Sequence, residues 1–151
     1  MKEFNSIDDI LEFAMSEEQK AVDFYSELAE KSTSADMKKI FVDFAKEEMD
    51  HKARLMKIKD EKAYTLDKEA VADLQISDFV VNISVTPEIT YQDALVVAMK
   101  KEKAAFKLYL TLSERAPNQQ MKDVFLSLAQ EESKHKLRFE LEYDEFVLRE
   151  N

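Results

Sequence analysis

Six residues of this chain have the types and spacing of a metal-binding set: Glu18, Glu48, His51, Glu102, Glu132 and His135. The chain has 2 histidines, and each follows a glutamate by three positions, which puts each pair on one face of a helix. The pattern F-x-x-x-A-x-E-E-x-x-H runs from Phe41 to His51 and again from Phe125 to His135, at a constant offset of 84 residues. The same offset carries Glu18, Ala21 and Tyr25 onto Glu102, Ala105 and Tyr109. The chain therefore reads as one two-helix unit written twice.

Each of the four glutamates sits inside an apolar stripe. Glu18 has Leu11 and Ala14 behind it and Ala21, Tyr25 and Leu28 ahead, all at helical offsets, and Glu48, Glu102 and Glu132 are placed alike. Four helices thus each point one carboxylate at a common axis. Four like charges in a dry interior are very costly unless they are compensated or protonated, and a pair of bound cations is the simplest compensation. Carboxylate and imidazole without thiolate suit iron, manganese or zinc. One Glu from each of two helices plus Glu-x-x-His from each of the other two is the ligand layout of di-iron and di-manganese bundles. Glu17, Glu47 and Glu131 lie one position off the stripe, rotated by about 100°, and read as solvent-facing or ion-pair residues. Tyr25 and Tyr109 have two readings: core aromatics whose hydroxyls need a partner, or groups that hold a ligand carboxylate.

The elements that must position these residues follow from composition and pattern. With 151 residues the chain suffices for one domain, residues 1–151, with a sizeable core. Gly 0, Pro 2 and Cys 0 leave few positive-φ turns and no disulfide, zinc knuckle, iron-sulfur or rubredoxin-type site. Long helices with short polar turns are expected. Helix one is predicted from Ile7 to Lys31 behind Ser6, and helix two behind Thr33 or Ser34, ending near Lys62. Helix three starts after Thr90 and stops near Ala116-Pro117, and helix four starts after Asn118. Tyr143, Phe146 and Val147 prolong the apolar pattern of helix four by about two turns, an overhang to be covered by the crossover or by a second subunit. Between Ala63 and Thr90 a short helix is expected over Asp67–Leu74 and an extended stretch over Phe79–Val85, closed by Pro87. The expected fold is all-α, a four-helix bundle with one long crossover between helices two and three. A net charge of −10 argues against nucleic-acid binding. Met1-Lys2-Glu3-Phe4 does not open a signal peptide, and no apolar run approaches the ~20 residues of a membrane span, so a cytoplasmic location is expected.

These motifs resemble the ferritin-like superfamily and, within it, the rubrerythrin-type di-iron domain. The resemblance covers the four helices, through E-x-x-A-x-x-F-Y at Glu18 to Tyr25, E-x-x-A-x-x-L-Y at Glu102 to Tyr109, and the two E-E-x-x-H runs. It implies two iron ions, with Glu18 and Glu102 as terminal ligands, Glu48 and Glu132 as bridging ligands, and His51 and His135 as one nitrogen ligand per metal. It also implies reduction of hydrogen peroxide or dioxygen. Rubrerythrins proper usually place a further glutamate where this chain has Ala105, and they carry a rubredoxin domain that a chain without cysteine cannot form. Electrons would then come from a separate donor such as a rubredoxin. The ligand set is also similar to that of bacterioferritin ferroxidase centres.

Four functions compete at this point. The first is a di-iron peroxidase or ferroxidase. The second is a non-catalytic metal-binding or iron-handling bundle, in which zinc or manganese satisfies the buried glutamates. The third is an interaction module, a homodimer through the tail of helix four and the crossover. The fourth is an oxygenase of an organic substrate, which needs a cavity beside the metals.

Overall fold

The computed structural model describes residues 4–66, 71, 74–81 and 88–150. Four helices dominate: α1 (Ile7–Lys31), α2 (Ala35–Asp60), α3 (Tyr91–Glu114) and α4 (Gln119–Glu150). Their starts are the expected polar residues. Ser6 Oγ accepts from Asp9 N, Ser34 Oγ from Met37 N, Thr90 Oγ1 from Asp93 N and Asn118 Oδ1 from Met121 N, each satisfying a helix N–H that has no partner within the helix.

α2 ends slightly earlier than expected, at Asp60, in a six-residue cap. Ala63 N donates to Ile58 O and Lys62 N to Lys59 O, which is the Schellman pattern. This pattern needs a left-handed residue just past the helix. In a chain with Gly 0 the position falls to Lys62, at φ 52°. A lysine there costs about 1 kcal/mol relative to glycine.

The core is split into two apolar halves by the layer of glutamates and histidines. One half gathers Ile10, Leu11, Leu55, Tyr109, Leu112 and Phe125; the other gathers Tyr25, Leu28, Phe41, Leu95, Ala98 and Phe139. The offset of 84 exchanges the halves, taking Leu11 to Leu95, Phe41 to Phe125 and Leu55 to Phe139. The pseudo-twofold axis therefore passes through the polar layer. α2 ends in the first half and α3 begins in the second, so the link between them has to travel the length of the bundle. This is the expected crossover. Tyr64 and Phe79 of that link pack into the first half, and Tyr64 Oη donates to Leu112 O at 2.6 Å.

The short helix expected over Asp67–Leu74 falls mostly outside the described residues, as do Pro87 and the end of the stretch Phe79–Val85. Residues 79–81 are irregular and follow a 3-10 turn, Ile76–Asp78. At 32 residues against 26 for α2, α4 extends about 9 Å further at ~1.5 Å per residue. Its overhang meets the first turn of α3: the Phe146 ring lies 5.1 Å from Tyr91. Glu142 is buried there and holds Arg149 at 3.0 Å, a pair that the periodicity did not single out. Among the described residues no helix is long and apolar enough to cross a membrane.

Candidate metal centre

All six residues singled out in the sequence meet in the layer between the apolar halves. Glu18, Glu48, His51, Glu102, Glu132 and His135 are each no more than 2% exposed. They form two overlapping groups, Glu18–Glu48–His51–Glu132 and Glu48–Glu102–Glu132–His135, whose ligand atoms within each group lie within 4.8 Å of one another. Glu48 and Glu132 are common to both. His51 Nδ1 is 2.7 Å from Glu132 Oε1 and 3.5 Å from Glu48 Oε1, while His135 Nδ1 is 3.1 Å from Glu48 Oε1 and 3.6 Å from Glu102 Oε1. The rings are nearly parallel, 12° apart in plane and 6.4 Å between centroids.

The contacts of the cluster with the tyrosines and with the outer histidine nitrogens cross between the hairpins. Tyr25 Oη on α1 donates to Glu102 Oε1 on α3, and Tyr109 Oη on α3 donates to Glu18 Oε1 on α1. The rings are buried in the core, and the hydroxyls reach carboxylates of the cluster. His135 Nε2 is 2.9 Å from Glu47 Oε2 on α2, and His51 Nε2 is 3.3 Å from Glu131 Oε2 on α4. Glu47 and Glu131 were expected to face solvent or form ion pairs. Glu131 does pair with Arg54, at 3.2 Å, but both acids also face the outer nitrogen of a histidine. An acid that holds a proton on Nε2 leaves Nδ1 with a lone pair directed inward. The available signal was the doublet Glu-Glu in both copies. Helical rotation alone put its first member on the flank and did not tell that the flank faces the other hairpin.

The electrostatics are those of a site built for cations. Burial and then the neighbouring carboxylates Glu102 and Glu18 push the Glu48 carboxyl well above the usual range. Burial, Glu102 and Glu48 do the same to Glu132. Burial would raise Glu102 too, but the adjacent Glu132 and His135 groups outweigh it and hold it low. Glu18 Oε2, Glu48 Oε1, Glu102 Oε2, Glu132 Oε1, His51 Nδ1 and His135 Nδ1 are buried without a hydrogen-bond partner. Six orphaned donor atoms, all oxygen or nitrogen, converge on one spot. Leaving buried polar atoms unsatisfied costs about 1–3 kcal/mol each, so the set fits hard or borderline divalent ions.

The histidines approach from α2 and α4. On the other side, between α1 and α3, a cavity of about 30 Å³ reaches the four glutamates, lined also by Ala21, Ala105, Phe79 and Lys101. Ala21 and Ala105 lie one turn beyond Glu18 and Glu102, and their short side chains leave this space.

The rubrerythrin family model matches the chain over residues 9–92 and 93–151, with the boundary in the first turn of α3. A Thermotoga maritima protein assigned as ferritin-like diiron-carboxylate has the same fold, with a TM-score of 0.77 and 22% identity, covering 96% of this chain and 99% of its own. A hypothetical protein from Pyrococcus furiosus is 27% identical with a TM-score of 0.74, over 92% of this chain and 89% of its own. No curated protein matches. The doubled helical hairpin, its buried Glu and His cluster and the match along both halves lead to one conclusion: the chain belongs to the rubrerythrin family.

Proposed function

We propose that this protein is a di-iron oxidoreductase that reduces hydrogen peroxide, or dioxygen, at the cluster between the two apolar halves. The observation that carries the reading is the pair of overlapping four-residue groups with their six orphaned donor atoms. In this reading Glu18 and Glu102 would be terminal ligands, Glu48 and Glu132 would be shared between the metals, and His51 and His135 would give one nitrogen to each. When bound, two ferrous ions supply the two electrons that, with two protons, convert one peroxide to two waters. The chain's own residues prepare that step. Tyr25 and Tyr109 fix the terminal carboxylates, Glu47 and Glu131 orient the imidazoles, and the apolar halves keep bulk water from the centre.

The cavity supports a small oxidant. At about 30 Å³ it has room for roughly two water-sized molecules, against the ~300–1,000 Å³ of pockets for organic ligands. That weighs against oxygenation of an organic substrate. Because the chain has Cys 0, electrons to restore the ferrous state come from a separate donor such as a rubredoxin. Exposed Leu137, Leu141 and Leu148 on α4 favour a homodimer, and the absence of cysteine is in keeping with the cytoplasm.

The second reading, a metal-holding bundle without turnover, rests on the same buried glutamates, which need cations whether or not chemistry follows. Anaerobic Fe(II) titration followed by rapid mixing with peroxide or with air separates them. Two irons per chain and a ferric band that forms faster with peroxide support peroxide reduction. Faster oxidation by air points to ferroxidase chemistry, and bound iron that neither oxidant changes leaves only the structural role.

A further inference from the structure

The cavity above the glutamates lies against a second, more open hollow of about 440 Å³, between α3 and the crossover. Val81 and Ala104 line both. The rest of the hollow is lined by Asp78, Val80, Lys100, Lys103 and Lys107, three bases against one acid. The three lysines are exposed, and among the described residues none of them has an ion-pair partner. Lys107 instead stands 5.8 Å from the centre of the Phe79 ring, beside the crossover. The acids of α3 are elsewhere: Asp93 and Glu114 lie at its two ends, and Glu102 is buried in the cluster. Lys101 turns to the cavity, which Glu17 also lines, and is not part of this face.

A basic face is unexpected on a chain of net charge −10. Nor does the fold require it. By the offset of 84, Lys100, Lys103, Ala104 and Lys107 correspond to Ser16, Gln19, Lys20 and Asp23 on α1, where the charges cancel and Gln19 donates to Asp23 at 3.1 Å.

We infer that this face receives an acidic electron-donor protein. The inference rests on reading the cluster as a di-iron centre that a separate donor re-reduces. Each molecule of a one-electron iron–sulfur donor gives up one electron, and two such transfers return two ferric ions to the ferrous state. Donors must therefore arrive and leave twice in each cycle. Exposed lysines suit that traffic, because they steer an acidic partner and speed its encounter more than they tighten its hold. Being exposed, they do not enclose a small anion, and the negative charge of the rest of the chain repels extended polyanions. Val80, Val81 and Ala104 supply an apolar centre within the charged rim, as contact surfaces between proteins do. Lys103 follows Glu102 directly, so no more than the width of α3, about 10 Å with its side chains, separates the face from that carboxylate.

Two measurements test this. Metal-depleted, ¹⁵N-labelled protein is titrated with an iron–sulfur protein of strongly negative net charge, whose paramagnetic iron broadens the amide signals it approaches. In parallel, the ferric protein is reduced anaerobically by the same donor and, separately, by reduced methyl viologen, a small cation. Broadening should centre on residues 100–107 and 78–81 and vanish in the triple variant Lys100→Gln, Lys103→Gln, Lys107→Gln. In that variant reduction by the donor should slow at least ~10-fold at low salt, with reduction by viologen unchanged, and the native rate should fall as salt rises. Lys38→Gln, Lys39→Gln, Lys46→Gln, at exposed positions of α2, removes the same charge from another face and should leave both measurements nearly as they were. Broadening centred elsewhere, equal slowing in the two triple variants, or a rate indifferent to salt would overturn the assignment. A ferric centre that viologen fails to reduce would count instead against the di-iron reading, while the broadening still decides the surface.

Discussion

Replacing Tyr25 by phenylalanine isolates one strut of the proposed metal centre. The ring is fully buried, 5.2 Å from Phe139 and 6.5 Å from Phe44 between centroids, and phenylalanine keeps that packing. Only the hydroxyl is lost, and with it the proton that Tyr25 donates to Glu102 Oε1. The other oxygen, Glu102 Oε2, is buried and has no hydrogen-bond partner. A hydrogen bond to an ionised carboxylate contributes about 1.5–3 kcal/mol. At 1.4 kcal/mol per decade, affinity for the ion at the His135 end should therefore fall by about 10- to 100-fold. Tyr109→Phe should do the same at the His51 end, since Tyr109 holds Glu18. The assay is competition for zinc against a chromophoric chelator, with the imidazole NMR signals showing which position has weakened. Unchanged affinity in both variants, or an equal loss at both positions in each, would refute the idea that each tyrosine holds one terminal carboxylate from across the bundle.

Other predictions follow from the same geometry. Burial lowers the pKa of His135, but the carboxylates of Glu102 and Glu48 beside it outweigh this and push it up to about 11, against an ordinary 6.5. A raised folded value means that the charged imidazole stabilises the metal-depleted fold fully below pH 6.5 and that this contribution is lost as the pH rises through about 11. Urea midpoints of metal-depleted protein should decline across that window, and one that rises with pH would reject the pairing. Zinc binding at pH 7 should also release the His135 proton, read by calorimetry in buffers of different ionisation heat. Ala105→Leu should narrow the cavity and slow peroxide-driven iron oxidation by about tenfold, equivalent to ~1.4 kcal/mol on the barrier, while metal still binds. An unchanged rate would mean that oxidant arrives by another path. Lys62→Gly should raise the thermal midpoint by about 2–4 °C, from about 1 kcal/mol of relieved left-handed backbone, and a lowered midpoint would argue against that conformation.

Much of this protein could be read from one dimension. An offset of 84 residues, constant from Glu18 to His51, revealed the doubled hairpin, because a repeat of helical stripes has to fold into a repeat of helices. The lack of glycine and the polar caps Ser6, Ser34, Thr90 and Asn118 set where the helices begin, since capping is a matter of neighbouring residues. The six buried Glu and His residues were legible for the same reason: a charged group in an apolar stripe is visible at a spacing of three and four.

Contacts between hairpins had no such local signature. That Tyr25 grips Glu102 and not a residue of its own helix, that Glu47 and Glu131 serve the opposite histidines, and that Glu142 is buried with Arg149 all depend on how the helices are rotated against each other. The cover over the end of α4 likewise came from the first turn of α3, because the crossover had already brought that turn to the far end of the bundle. Periodicity says which face of a helix turns inward. Only packing in three dimensions decides whose side chain that face, and the flank beside it, will meet.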